Sequence, residues 1–395
     1  MAFRSITNKN ASFRQGEYRL VNNIWNSGDL KIGADYTQSI AFNTNHVTRD
    51  VTFRWDFGSH VSDTIFSYPS IAAGYDPWSG LGSKMLVTKI SSLRNLDIDF
   101  DVSIGGNVDK FNVAFDIWLT GKAAGGARSI TTEVMVWLHG GKLSPAGKVV
   151  GSYSDGDYSA TVRTAGGFGD SSGGSDVKWR YIALDARKDM LDGTIDMDGI
   201  FRFLVNAGLV SGDDFINGFE FGSEVSGGHG HLKVGHIGYQ FSRYDVTMKA
   251  DRLVGTGQDD VIGGRGGADL IVGGRGDDVL SGDGGHDRLV GGRGHDSFVF
   301  KSSQTGSHDR VLDFNPRMDE IQLDIAGFAP ESPSSLDPGK FADLDHVTNA
   351  TRIIYDGETG RLFHDADGAA GSHHAMLIAT LQGKPFLAAT DILLF

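Results

Sequence analysis

The sequence predicts an all-β chain: a β-sandwich, then a parallel β-roll, then a small β-rich C-terminal module. Three observations lead there. Runs of strict apolar/polar alternation recur between turns rich in Gly, Ser, Asn and Asp through residues 1–248, the pattern of half-buried antiparallel strands. Composition then changes abruptly, with 15 of the 56 glycines falling in a nine-residue repeat over 251–300, which is the mark of a stacked coil. Only 197–207 has good helical spacing, through Met197, Ile200, Phe201 and Leu204, with Asp196 to cap it and Gly208 to end it. With 395 residues the chain exceeds one ordinary core, and the expected domains are 1–248, 251–300 and 301–395.

In chain order, 18–25 alternates with Val21, Asn23 and Trp25 on one face, and 51–57 and 96–104 alternate likewise. In 111–119, Phe111, Val113, Phe115, Ile117 and Leu119 form the buried face, while Asp116 and Trp118 turn to the other. The stretch 131–138 commits Val134, Val136 and Leu138 to the core and sets Thr131, Glu133, Met135 and Trp137 opposite. A carboxylate flanked by a thioether and an indole makes a poor solvent face and a good wall for a sugar-binding cleft. Strand 219–225 puts Glu220, Gly222 and Glu224 on one face, and 231–241 closes the region. His229, His231 and His236 read as surface or cleft-edge residues, and His139 as a possible sugar contact beside the Glu133 strand.

Aligned on Gly-x-Asp, the repeating acid is Asp259, Asp269, Asp278, Asp287 and Asp296, followed two residues later by Val261, Ile271, Leu280, Leu289 and Phe298. In a β-roll the apolar position fills the axis and alternate turns share an edge, so Asp259 should stack on Asp278, Asp269 on Asp287 and Asp278 on Asp296. In this alignment Arg265 is an inserted residue. Stacked carboxylates repel unless a hard cation lies between them, and oxygen-only ligation suits Ca²⁺.

The formal net charge of −14 argues against nucleic acid or anionic membrane as partners. The sequence has 0 Cys, which excludes disulfides and thiolate metal sites. Residues 1–9 lack the apolar core of a secretory signal, and no run reaches membrane-spanning length, so membrane insertion is not expected.

Hydrolysing a glycosidic bond takes one group to protonate the departing oxygen and a carboxylate to attack or stabilise the anomeric carbon. Glu133 is one candidate; Glu220 and Glu224 both lie on the right face to be its partner, and Asp116 is placed to hold Glu133. Several motifs recur in order: 18–25 ending Asn22-Asn23-Ile24-Trp25, Ser67-Tyr68-Pro69, Phe115-Asp116-Ile117-Trp118, Glu133-Val134-Met135-Val136-Trp137 and Gly222-Ser223-Glu224. Together they resemble glycoside hydrolase family 12, the β-jelly-roll endoglucanases and xyloglucanases. The resemblance implies a retaining endo-acting enzyme on β-1,4-glucan, with Glu133 as nucleophile, Glu224 as acid/base and Asp116 supporting Glu133. It also implies that Asn23, Trp25, Trp118, Met135 and Trp137 line the substrate cleft. Val225 follows the acid/base where the family commonly has Pro, and Asn26 follows Trp25 in place of Gly; Glu220 remains the alternative acid. The nonapeptide resembles the RTX repeat. That likeness implies structural Ca²⁺ at the five aspartates, export by a type I secretion exporter without an N-terminal signal, and an extracellular protein. Asp309, Asp313, Phe314 and Asp319 fall in its C-terminal module. A monomer is expected. The rival reading is a non-catalytic glucan-binding or adhesion protein using the same cleft.

Overall fold

The computed structural model describes residues 3–24, 28–61, 65–169, 177–244, 246–301, 308–324, 334–366, 368 and 375–394. The chain divides into two compact units, residues 1–89, 95–200 and 213–241, and residues 90–94, 201–212 and 242–395. No helix among the described residues is long and apolar enough to cross a membrane.

The first unit is built from two sheets. One runs Phe3–Ile6, Thr37–Asn43, Arg49–Val61, Gly227–Arg243, Leu93–Gly106, Asp192–Asp196. The larger runs Lys148–Ser154, Ser159–Gly169, Lys178–Ala186, Ile130–His139, Val113–Thr120, Gly218–Gly222, Ser70–Asp76, Tyr18–Val21, Ser12–Gln15. Alternation decides which side chains meet between them. Phe111, Val113, Phe115, Ile117 and Leu119 are at most 1% exposed. Phe100 of the smaller sheet meets Phe115 and Phe221 of the larger at ring-centroid distances of 5.7 and 6.1 Å, and Trp55 meets Phe111 edge-on at 4.8 Å. These inter-sheet aromatics are the sandwich core, and they leave the other face of the larger sheet for chemistry. The helix Met197–Asn206 forms as the spacing predicts. Asp196 Oδ1 accepts the Gly199 amide at 2.6 Å at its start, and Gly208 adopts φ 64° just past its end, as a left-handed terminator requires.

The second unit contains the β-roll. Two parallel ladders run side by side, Arg252–Val254, Leu270–Arg275, Arg288–Arg293 and Asp309–Val311 in one, and Val261–Gly263, Val279–Ser281, Ser297–Lys301 and Glu320–Asp324 in the other. Each coil takes 18 residues, so Leu253, Ile271 and Leu289 stack, as do Ile262, Leu280 and Phe298. The structure corrects the expected register at the first repeat. Asp260, not Asp259, stacks with Asp278, and Ile262, not Val261, lies on the axis; Asp259 Oδ1 instead accepts the amide of Asp277 at 2.7 Å. Measured from Asp260 the spacing is nine throughout, so Arg265 is no insertion. It occupies the same turn position as Asp283 one coil later, both at positive φ (66° and 58°). Residues 251–300 and 301–395, expected as separate domains, share one core: Val311 and Ile321 continue the two axial stacks, and Leu381 and Ile392 extend them.

Phe115 is fully buried and contacts Phe100, Phe219 and Phe221. Phe115→Ala is expected to cost about 3–5 kcal/mol in denaturant unfolding of the first unit, with the unfolding of the second unchanged.

Candidate active site

On the larger sheet, Val113–Thr120 and Ile130–His139 pair antiparallel, with Asp116 opposite Met135 and Trp118 opposite Glu133. On the far side of Val113–Thr120, Gly218–Gly222 sets Glu220 opposite Asp116. Directly opposed residues share a face, so Asp116, Glu133 and Glu220 all point away from the core. Glu224 lies just beyond the end of Gly218–Gly222, and Asn112 fixes it. The Asn112 side-chain amide donates to Glu224 Oε2 at 2.5 Å, its Oδ1 accepts the Glu224 amide at 2.8 Å, and its own amide donates to the Glu224 carbonyl at 3.1 Å. Glu133 is fixed from the other side by Lys178–Ala186, where the Trp179 indole N–H donates to Glu133 Oε2 at 2.7 Å.

Four carboxyls in one desolvated region repel one another, and burial favours their neutral forms. Burial pushes Glu133 up to about 8, against the pull of the Trp179 N–H, with the Glu224 charge adding to the rise. Burial likewise takes Glu224 up to about 7, with the Asn112 amide holding it down. Asp116, 6% exposed, is driven well above the carboxylate range by burial and then by Glu133, Glu220 and Glu224. At neutral pH the group therefore retains protons, and a pair poised near 7–8 can both give and take one.

Trp78, Trp118 and Trp179 form an edge-to-face triad with centroid distances of 5.2, 5.5 and 5.4 Å, one member of which holds Glu133. Met135 and Trp137, 2% and 3% exposed, pack with Tyr181 and Ala183 of the parallel neighbour, so they form the floor of the face. Asn23 is half-buried and its carbonyl accepts the Tyr68 amide at 3.0 Å. Trp25 lies outside the described residues. His139 is structural: Nδ1 meets Asp189 at 2.8 Å and Nε2 meets the Val108 carbonyl at 2.9 Å, which leaves no ring nitrogen for sugar. His236 pairs with Asp99 at 2.9 Å. Asn112 and Trp179 were missed in the sequence. Trp179 carried a signal, since Trp179 and Tyr181 alternate with Lys178 and Arg180 on a strand whose neighbour was not known.

The sequence pattern of glycosyl hydrolase family 12 matches residues 16–241, more than half of the chain. The chain belongs to family 12. It is a glycoside hydrolase, and residues 248–276 and 263–298 match the RTX calcium-binding nonapeptide repeat. Endoglucanase S of Pectobacterium parmentieri is 25% identical over 225 residues, 56% of this chain and 81% of that protein. A probable xyloglucan-specific endo-beta-1,4-glucanase A of Aspergillus fumigatus is 24% identical over 217 residues, 55% of this chain and 82% of its own. The family 12 xyloglucanase from Bacillus licheniformis superposes with a TM-score of 0.52 at 24% identity, over 60% of this chain and all of that one, which shows that the fold is shared.

The RTX repeats imply calcium, and the aspartate ladder fits a hard cation. Oδ1 of Asp269, Asp278, Asp287 and Asp296 accepts the amide of the aspartate 18 residues earlier, or of its equivalent, at 2.7–3.0 Å. Oδ2 of Asp269, Asp278 and Asp287 is buried with no partner among the described residues. Burial and mutual repulsion push Asp278 up to about 8. A Cβ on Gly273 would lie 2.1 Å from Asp278 Oδ2, so glycine is required where the turn meets the carboxylate. Asp260 is different: Tyr244 O–H donates to Oδ1 at 2.9 Å and the Thr256 amide and hydroxyl donate to Oδ2, so protein donors close that end of the ladder.

Two outcomes are expected. Trp179→Phe removes a donor that stabilises the charged form, so the Glu133 carboxyl should hold its proton to a pH higher by about one unit, read by ¹³C NMR of the labelled carboxyl. Chelating Ca²⁺ should lower the melting temperature of residues 242–395 and reduce their β-sheet circular dichroism, and Asp278→Asn should reproduce the loss in saturating Ca²⁺.

Proposed function

We propose that the chain is an exported endo-β-1,4-glucanase that hydrolyses its substrate with retention, Glu133 acting as nucleophile and Glu224 as general acid/base. The observation that carries this reading is the convergence of two half-buried carboxyls, each held by a dedicated donor, on the face of the sheet that carries the tryptophan triad. The names of the relatives, an endoglucanase and a xyloglucan-specific endo-beta-1,4-glucanase, support β-1,4-glucan as the polymer. Flat indoles match pyranose faces, and Trp118 and Trp78 beside Glu133 suit a sugar ring at the point of cleavage.

In the first step Glu133 attacks the anomeric carbon, the glycosidic C–O bond breaks, and the departing oxygen takes the proton of Glu224. In the second, Glu224, now ionised, removes a proton from water, whose oxygen displaces Glu133. Product leaves with its original anomeric configuration and Glu224 regains its proton. Glu133 must be ionised at the outset; the Trp179 N–H and a neutral Asp116 favour that charge. Retention requires carboxyls about 5–5.5 Å apart. The proposed organisation is a catalytic jelly roll over 1–248 followed by one Ca²⁺-binding unit, in which the repeats of 251–300 and the C-terminal module of 301–395 share a core. The repeats support export through a type I exporter and folding on meeting external Ca²⁺, with the protein working as an extracellular monomer.

Glu133→Gln and Glu224→Gln should each cut kcat on soluble β-1,4-glucan by at least about 10³-fold in a reducing-sugar assay, with ligand binding retained. Wild-type kcat/KM should follow a bell-shaped pH profile, falling on the acid side as Glu133 takes up a proton and on the alkaline side as Glu224 and Asp116 lose theirs. Wild type and both variants equally inert, yet able to bind glucan, would establish a glucan-binding protein instead.

A further inference from the structure

A third glutamate stands against the pair and has no part in those two steps. Glu220 lies directly opposite Asp116 across adjacent strands, and both line a cavity of about 150 Å³. Opposed side chains in an antiparallel pair are about 4.5–5.5 Å apart at Cβ, so the two carboxyls share one environment. Asp116 in turn faces Met135, two residues along the strand from Glu133. Glu220, Asp116 and Glu133 thus occupy three successive strands on one face.

Their hydrogen bonding differs. Glu220 Oε2 accepts from Ser70 Oγ at 2.8 Å, and Tyr68 O–H secures the strand by donating to the carbonyls of Ala114 and Glu220 at 3.1 and 3.3 Å. Asp116 Oδ1 is buried with no partner among the described residues. The other charged groups around them are Glu133 and Glu224, the pair Arg19–Asp76 at 2.8 Å, and Arg14 and Glu17 in the cavity lining. Arg19 is engaged with Asp76, so the acids are not neutralised one for one. Protons must make up the difference.

We propose that Glu220 is a positioning residue for the hydrolysis: its carboxylate keeps the proton on Asp116, and neutral Asp116 then serves Glu133 as a hydrogen-bond donor. This rests on the reading of Glu133 as nucleophile. The environments separate the two acids in that direction. Asp116 is driven up by burial and by Glu133, Glu220 and Glu224. Glu220, raised by burial and Asp76, is pulled back by the Ser70 hydroxyl and by Arg19. These surroundings favour the charge on Glu220 and the proton on Asp116.

Glu220→Gln keeps the shape and an acceptor for Ser70 but removes the charge. Asp116 should then ionise earlier, so the alkaline limb of kcat/KM for the full chain with Ca²⁺ should move about one unit to lower pH, with low-pH turnover and KM nearly unchanged. In an Asp116→Asn background the same substitution should produce no shift. A Glu220→Gln profile that superimposes on wild type, or a shift that persists without Asp116, overturns the proposal. So does a variant inert at every pH whose activity on an aryl cellobioside is restored by azide, because Glu220 would then be the acid/base itself. If Glu224→Gln instead stays active, the acid/base assignment has failed, a result separate from the Glu220 shift. Should Glu220→Gln not fold, Ser70→Ala weakens the same charge, and ¹³C titration of Asp116 should show an earlier ionisation; an unmoved Asp116 overturns the proposal.

Discussion

A carboxylate taken out of water costs several kcal/mol unless a proton, a donor or a cation meets it, and this chain buries carboxylates in both of its units. The cleft answers with donors, Trp179 on Glu133, Asn112 on Glu224 and Ser70 on Glu220, and at Asp116 with burial and neighbouring acids that favour a proton. The roll answers with main-chain amides on one oxygen of Asp269, Asp278 and Asp287 and leaves the second without a partner among the described residues, where a cation fits. The difference follows from what each unit does. A group that must trade protons with a substrate can be held by donors that leave its proton exchangeable. A group whose task is to clamp one coil to the next is better met by an ion that stays.

Strand placement gives the cleft its rigidity. Asp116, Glu133 and Glu220 lie within paired strands, and Glu224, just outside, is tied at both backbone and side chain by a fully buried asparagine. Little conformational freedom is then lost when substrate arrives, which is how a preorganised site lowers a barrier.

Much of this was legible in the sequence because alternation fixes faces. The faces of 111–119 and 131–138 were readable to the residue, and the positions of Asp116, Glu133 and Trp118 follow from them. Alternation does not say which strands are neighbours. Trp179 reaches Glu133 because Lys178–Ala186 runs parallel to Ile130–His139, a pairing made 46 residues away in sequence. Asn112 was hidden for a different reason: its role lies in three hydrogen bonds to one distant residue, and no periodicity records that. In the repeats, the adjacent pair Asp259-Asp260 offered two alignments. Gly-x-Asp favoured the first, but the 18-residue amide ladder admits only the second.

The aspartate ladder also has a direction. Each rung's amide finds its acceptor on the carboxylate of the coil that follows, and the last two acceptors come from beyond the repeats, Asp309 for the Asp287 amide and Asp319 for that of Asp296. The two ends of the array are therefore unequal. Shortened from its N-terminal side, the array loses only donors to oxygens that water or an ion can satisfy. Shortened from the C-terminal side, it loses the carboxylate acceptors of the Asp287 and Asp296 amides, which must then find water. The coils beyond the repeats thus complete the same hydrogen-bond ladder as the repeats themselves, and the array's boundary by sequence is not its boundary by bonding.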